Sequence, residues 1–168
     1  MFDWLKKWLH VEQTSKKEKI WSAVLASVYI FVIGWASPMP MAWYATLQKP
    51  AANPPPWVFG VVWSTLFALI AISGYLVWNH YKTDVRRKFF TFLYLINGFL
   101  VFLWCYFFFA LQNPINALFT CIGMLIVAEL MIITAFYTNK RAAYLLLPYL
   151  GWLLFATYLN TAIIALNG

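Results

Sequence analysis

Five long apolar segments, separated by short polar or proline-rich loops, dominate this sequence. They cover residues 20–37, 57–79, 89–111, 115–137 and 142–166. Each is close to or above the roughly 20 residues that an α-helix needs to cross a bilayer. Of all residues 64% are apolar and only 10% are charged, whereas a soluble domain carries about 25% charged residues. The sequence therefore predicts an all-α integral membrane protein, a bundle of five transmembrane helices that fills residues 20–168.

A basic segment, residues 1–19, precedes the first span. Trp4 and Trp8 share one helical face with their leucine neighbours, so residues 1–11 predict a short amphipathic helix at the membrane surface. A frayed basic terminus is the alternative. No apolar core followed by a small-residue cleavage site is present, so the segment is not a cleavable signal.

The distribution of Lys and Arg predicts the orientation. With five spans, 11 of the 12 basic residues lie on the side of the N-terminus, and Lys49 alone lies on the other side. Basic loops mark the cytoplasmic face. The N-terminus is therefore predicted to be cytoplasmic, and the absence of a transit peptide favours a bacterial inner membrane. Because the basic residues lie between apolar segments rather than on one folded face, nucleic acid is not predicted as a partner.

One level of polar residues is predicted in the inner half of the bundle. Glu129 is the only acidic residue inside a span, and Asn97, Tyr29 and Tyr149 fall at a similar depth. Polar groups at membrane depth are costly and are usually functional or paired. The pattern predicts a hydrogen-bonded layer, which is either a proton or substrate site or a contact between helices or subunits.

Aromatic residues nearer the outer side predict a ligand cavity. Trp152 lies well inside the last span and shares a helical face with Ala156 and Leu159. Large indoles beside small and polar residues can frame a flat apolar pocket, although tryptophan near a span end is often only an interfacial anchor. Residues 38–56 hold six of the eight prolines, which predicts a stiff, extended loop that covers the cavity as a lid. The other residues predicted at this cavity are Trp63, Trp104 and Asn160.

No catalytic or metal-binding motif accompanies the cavity. The sequence has no Ser/His/Asp set, HExxH motif or phosphate-binding glycine loop. Cys105 and Cys121 lie in apolar segments outside any Cys/His cluster, which indicates buried free thiols and no metal site. His10 and His80 fall outside the spans, so a bound haem has no obvious axial histidine. The sequence favours a protein that is not an enzyme.

Three passages resemble the translocator protein family, also called the tryptophan-rich sensory protein or peripheral benzodiazepine receptor family. The first is WYATLQKP at residues 43–50, followed by Pro54-Pro55, Trp57, Gly60 and Trp63 and by LVW at residues 76–78. The second is Trp104 with the three phenylalanines of residues 107–109. The third is LPYLGW at residues 147–152, followed by FAT at residues 155–157 and by Leu159-Asn160. Order and spacing match over about residues 20–167.

The resemblance implies a five-helix bundle, a homodimer, that binds porphyrins, sterols and synthetic benzodiazepine-type ligands beneath the first loop. No covalent cofactor is implied, and a porphyrin such as protoporphyrin, or haem, is the expected bound ligand, with membrane lipid around the bundle. Carried over by position, the pocket includes Trp104, Trp152, Ala156 and Leu159. Leu47 and Pro50 would lie in the lid.

Two departures from the family pattern bear on function. Ala52 replaces a tryptophan that, in the family, is linked to light-dependent breakdown of protoporphyrin. Val101 replaces an asparagine three residues before Trp104.

Three hypotheses about function follow. The first is a receptor or translocator-like protein for flat apolar ligands, the second is a light-dependent porphyrin-degrading enzyme, disfavoured by Ala52, and the third is a structural or regulatory membrane scaffold.

Overall fold

Four long helices run through the part of the chain that the computed structural model describes, which is residues 15–17, 19–24, 26, 41–79 and 85–168. A short helix, α1, spans Met41–Thr46. The long helices are α2 (Pro56–Trp78), α3 (Val85–Cys105), α4 (Pro114–Phe136) and α5 (Lys140–Asn167). Each of the four is long and apolar enough to cross a membrane, and the described residues contain no strand. The all-helical membrane architecture is thereby confirmed.

The first predicted span, residues 20–37, falls mostly outside the described residues. Residues 19–24 and residue 26 are helical. The amphipathic helix at residues 1–11 and most of the basic segment 1–19 also lie outside. The count of five spanning helices therefore stays a prediction.

One helix boundary differs from the prediction in a way that matters for the membrane surface. The sequence predicts that the third span begins at Phe89, but α3 begins at Val85, so Arg86 and its basic neighbours form the first helical turn. The Arg86 guanidinium donates a hydrogen bond of 3.1 Å to the backbone oxygen of Tyr137, just beyond the end of α4. A cation near the carbonyl end of a helix is favourable. This contact stabilises Arg86 as part of the helix rather than of the loop.

The junction between α3 and α4 is a π-turn followed by a sharp reversal. The π-turn covers Tyr106–Ala110, with the Leu111 amide donating to the Tyr106 oxygen at 2.9 Å. Gln112 then adopts a left-handed φ of 51°. The Asn113 side chain accepts from the Asn116 amide at 3.0 Å and caps α4. Such π-bulges are frequent at functional sites, and this one places two consecutive phenylalanines, Phe108 and Phe109, in the buried interior.

The helices pack in the order α2, α5, α4, α3. Helix α5 lies against both α2 and α4, and α4 lies against α3. Helices α2 and α3 meet over a shorter stretch, at Gly74. A Cβ atom added there would stand 3.0 Å from a ring carbon of Tyr94 on α3. The absence of a side chain at Gly74 therefore sets how closely these two helices approach.

The predicted inner polar layer forms only in part. The Asn97 side-chain amide donates to the Tyr149 hydroxyl at 2.8 Å, and both side chains are fully buried. Glu129 does not join them, because it lies on the exposed side of α4. The buried face of α4 passes through its neighbour Ala128 instead, and successive residues of a helix point about 100° apart. Tyr29, the fourth predicted member, lies outside the described residues.

The proline-rich loop is extended over only part of its length. Residues 41–46 form α1, whereas residues 48–50 and 53–55 are irregular. The prediction of an extended loop was therefore wrong for its helical part. A proline prevents a helix from continuing through it. Residues 41–49 contain no proline, so a short helix can form there.

Candidate ligand-binding cavity

A cavity of about 250 Å³ lies among the four long helices, next to α1. One face of α5 supplies its longest wall, and α2, α3 with its π-turn, and α4 supply the others. Two lining residues of α2, Pro56 and Gly60, are themselves exposed, so the cavity opens beside the start of that helix. The lining residues are Tyr44, Pro56, Phe59, Gly60, Trp63, Trp104, Phe108, Phe109, Cys121, Met124, Trp152, Leu153, Ala156, Leu159, Asn160 and Ile163.

Flat rings make up two sides of the cavity. The indole of Trp104 stacks on Phe108, with ring centroids 5.0 Å apart and planes 14° apart. Phe59 of α2 and Trp152 of α5, which also line the cavity, lie edge to face with ring centroids 5.9 Å apart. Aromatic pairs of this kind hold each other's orientation. These ring pairs therefore form the rigid part of the lining, which Met124, Leu153, Leu159 and Ile163 complete with aliphatic side chains.

Asn160 lies in the cavity wall, and its side-chain amide is already hydrogen-bonded. Its nitrogen donates to the Pro114 backbone oxygen at 2.7 Å, and its oxygen accepts from the Trp104 indole at 3.3 Å. The side chain is 2% exposed. The residue therefore ties α5 to the start of α4 and orients the Trp104 ring, so its first role here is to build the wall.

Trp152 lines the cavity and carries one unpaired polar atom. Its indole nitrogen is buried and has no hydrogen-bond partner among the described residues. Leaving a buried donor unpaired costs roughly 1–3 kcal/mol. A ligand with an oxygen or nitrogen acceptor near this atom would recover that cost. Trp152 thus lines the cavity with an apolar ring, and its buried donor is satisfied only by an acceptor that reaches it.

Six of the eight residues predicted at the site come together around this one cavity. The two predicted lid residues, Leu47 and Pro50, are not part of its lining. Leu47 instead packs on an apolar cluster that contains Tyr44 and Phe108. The six that line the cavity are Trp63, Trp104, Trp152, Ala156, Leu159 and Asn160.

Several lining residues were missed from the sequence. Phe108 could have been predicted from the sequence, because it lies one helical turn beyond Trp104. Phe109 could not have been predicted, since only the π-turn buries both phenylalanines. Tyr44 and Cys121 carried no signal of their own, because each depends on how α1 or α4 is placed against α5.

The loop before α2 is fastened to the end of α5 by a pair of amide hydrogen bonds. The Gln48 amide donates to the Asn167 side-chain oxygen at 2.9 Å, and the Asn167 side-chain nitrogen donates to the Gln48 oxygen at 2.9 Å. The same nitrogen also donates to the Ile163 oxygen at 2.8 Å, which fixes the side chain against its own helix. We call the Asn167–Gln48 pair the loop clasp.

A second set of contacts holds α1 to the loop that follows it. The Tyr44 hydroxyl donates to the Asn53 side-chain oxygen at 2.8 Å. Burial raises the pKa of Tyr44 above its ordinary value, so the hydroxyl stays protonated and able to donate. The Lys49 ammonium group lies 4.8 Å from the Tyr44 ring centroid and donates to the Leu47 oxygen at 3.0 Å. The part of the loop nearest the cavity is therefore ordered by its own side chains.

Ala52 lies away from the cavity. It is exposed in a turn that the Asn53 amide closes on the Pro50 oxygen at 2.9 Å, and it is not among the lining residues. Within the described residues no group of three or more His, Cys, Asp or Glu side chains is placed to hold a metal ion.

Comparison with known proteins identifies the family of this chain. The TspO/MBR family model matches residues 22–166. The chain is 42% identical over 154 residues to the Tryptophan-rich protein TspO of Archaeoglobus fulgidus, covering 89% of this chain and 97% of that protein. It is 34% identical over 152 residues to the protein of the same name from Bacillus cereus, covering 90% and 98%. It is 35% identical over 122 residues to the human Translocator protein, covering 71% and 72%. This chain is therefore an integral membrane protein of the TspO/MBR family.

Proposed function

We propose that this chain is a receptor or translocator-like protein that binds flat, largely apolar ligands such as porphyrins or sterols in the cavity beside α5. The observation that carries the proposal is the combination of planar aromatic walls with one unpaired donor, the Trp152 indole nitrogen. Ligand pockets are usually mostly apolar, with a few polar groups that fix orientation. Protoporphyrin, haem and sterols share that chemistry.

The wall geometry favours a planar ligand over a flexible acyl chain. The stacked pair of Trp104 and Phe108 and the edge-to-face pair of Phe59 and Trp152 supply the cavity with aromatic ring surfaces. A planar ring system covers such surfaces without losing rotamer entropy, whereas an acyl chain loses much of it on ordering. The opening at Pro56 and Gly60 lets a ligand larger than the enclosed space extend outward.

Family membership supports the same class of ligand. The human relative is named a translocator, and the name is consistent with a protein that takes up a molecule from one place and releases it elsewhere. For this chain we propose the binding step, in which the loop clasp keeps the ligand from leaving. We also propose a bacterial inner membrane, with the N-terminus in the cytoplasm and the loop clasp outside, on the basis of the Lys and Arg distribution.

The proposal is tested by titrating protoporphyrin IX into the full chain in lipid nanodiscs and following tryptophan fluorescence. Trp152→Phe keeps a flat ring but removes the donor. We expect it to raise the Kd about 5- to 10-fold, the equivalent of one hydrogen bond of about 1–1.4 kcal/mol.

Trp57→Phe is the matched control. Trp57 lies on α2 near the cavity but is 69% exposed and does not line it, so its Kd should equal that of the unmodified protein. If Trp57→Phe and Trp152→Phe change the Kd equally, or if the unmodified protein shows no saturable quenching, the proposed function is wrong.

A further inference from the structure

One cation lies against the cavity wall. Lys49 follows Gln48 of the loop clasp, and its ammonium nitrogen lies 4.8 Å from the centroid of the Tyr44 ring. Tyr44 is one of the residues that line the cavity. Lys49 is not itself part of the lining, and its side chain is partly buried. A full positive charge is therefore in contact with the wall of an otherwise apolar site.

The contacts of Lys49 hold the ammonium group in place but do not neutralise it. The nitrogen donates to the Leu47 oxygen at 3.0 Å and to the Ala45 oxygen at 3.4 Å. An ammonium group has three donors, so one remains for a further acceptor. Backbone carbonyls and the face of the Tyr44 ring attract a cation through partial charges only. A full negative charge is missing from this set of partners.

Acidic side chains are remote from Lys49. Of the five in the sequence the structure describes Glu129, which lies 15 residues along α4 from Pro114. This is about 22 Å from the helix end that Asn160 of the cavity wall contacts. Lys49 makes no ion pair with any residue that the structure describes. The distribution of Lys and Arg predicts the opposite side of the membrane for the other four, which are Asp3, Glu12, Glu18 and Asp84.

Lys49 belongs to the part of the chain that surrounds the cavity opening. The cavity opens beside Pro56 and Gly60. Tyr44, which carries the Lys49 ammonium group, is hydrogen-bonded to Asn53, three residues before Pro56. An ionised carboxylate is costly to bury among apolar side chains. When a flat ring system occupies the cavity, its ionised groups will therefore lie at the opening, where Lys49 can reach them.

We propose that Lys49 is the carboxylate anchor of the ligand site, and that its ammonium group pairs with an acidic side arm of a ligand whose rings occupy the cavity. This inference rests on the proposed function and narrows it. A carboxylate supplies both the missing negative charge and an acceptor for the third donor. Charge-assisted hydrogen bonds are roughly twice as strong as neutral ones. The site therefore selects ring systems that carry carboxylates, such as protoporphyrin and haem, over neutral sterols.

The anchor is tested by changing the charge on the protein and on the ligand in turn. Protoporphyrin IX and its dimethyl ester share one ring system, but the ester has no carboxylate. Each is titrated into the full chain in phosphatidylcholine nanodiscs, whose lipid has no net charge, and tryptophan fluorescence gives the Kd. We expect Lys49→Gln to raise the Kd of the acid about 5- to 10-fold and to leave that of the ester within about twofold. Lys49→Arg keeps the charge and should leave both Kd values within about twofold.

The ester separates an anchor from a merely structural residue. Lys49 also orders the loop through the Ala45 and Leu47 oxygens, and loss of that order would weaken acid and ester alike. Gln48→Ala changes the exposed neighbouring side chain and should alter neither Kd. Equal increases for the two ligands in Lys49→Gln, or an unchanged Kd for the acid, overturn this proposal while leaving the proposed function intact. If the unmodified protein binds neither ligand saturably, both proposals are wrong.

Discussion

Removing the loop clasp should speed ligand release without altering the cavity itself. The perturbation is Asn167→Ala. It deletes the side chain that exchanges two hydrogen bonds of 2.9 Å with the backbone of Gln48, and Asn167 is not among the residues that line the cavity. We therefore expect the effect on a bound ligand to act mainly through the loop, since the remaining bond of Asn167, to the Ile163 oxygen, lies within α5.

The magnitude follows from the two bonds and their surroundings. A typical hydrogen bond contributes about 0.5–1.5 kcal/mol net. Both Asn167 and Gln48 are exposed, so water competes and the lower part of that range applies. Together the two bonds should favour the closed loop by about 1–1.4 kcal/mol, which makes opening about 5- to 10-fold more frequent in the variant.

The assay is stopped-flow displacement of protoporphyrin IX from nanodisc-embedded protein, followed by recovery of tryptophan fluorescence. We expect the dissociation rate constant of Asn167→Ala to rise about 5- to 10-fold. Asn167→Asp should raise it less, about 2- to 3-fold, because a carboxylate can still accept from the Gln48 amide but cannot donate to its oxygen. Gln48→Ala is the matched control, since only the backbone of Gln48 takes part in the clasp, and its rate should be unchanged.

Two results would refute this reasoning. If Asn167→Ala releases the ligand at the rate of the unmodified protein, the loop does not limit release. If Gln48→Ala accelerates release as much as Asn167→Ala does, the rate depends on the loop side chains and not on the clasp. If the unmodified protein does not bind protoporphyrin at all, the proposed function is wrong.

Three further predictions concern the bundle and the chemistry. Asn97→Leu should lower the free energy of unfolding by about 1–3 kcal/mol in a denaturant titration, because it removes the buried donor to Tyr149; an unchanged midpoint would contradict this. Gly74→Leu should lower the free energy of unfolding by about 1–3 kcal/mol, because the added side chain crowds Tyr94. Gly60→Ala should be nearly neutral, because a Cβ added there meets nothing within 4 Å. Equal effects of the two substitutions would argue against the close approach of α2 and α3 at Gly74. Illumination of the protoporphyrin complex should give no absorption spectrum that is absent from free protoporphyrin in empty nanodiscs, and a new product band would favour the enzyme hypothesis instead.

The spans could be predicted because apolar length alone specifies them. Helices α2 and α4 begin and end one residue from the predicted limits, since a proline starts each of them and their apolar runs end in polar residues. The start of α3 was misplaced because a hydropathy pattern treats Arg86 as loop. The contact with the Tyr137 oxygen that holds it in the helix joins residues 51 positions apart.

The cavity could be predicted in outline from one helix. One face of α5 carries Trp152, Ala156 and Leu159. Helical periodicity alone places them side by side, independently of the other helices. The role of Asn160 could not be read in this way, because its two partners lie on other helices. Glu129 was misplaced for the same reason: its depth follows from the sequence, but the direction in which it points depends on which face of α4 the other helices cover.

The central claim is that the aromatic cavity is the ligand site. It is tested most directly by filling the cavity with a side chain of this protein. Ala156 lines the cavity on α5 and is only partly buried, so Ala156→Phe should occupy ligand space without forcing the helices apart. Protoporphyrin IX titration in nanodiscs should give one saturable site per chain, with a Kd at least about tenfold higher in Ala156→Phe, a loss of about 1.4 kcal/mol. Identical titration curves for the two proteins would place the ligand elsewhere and contradict the account.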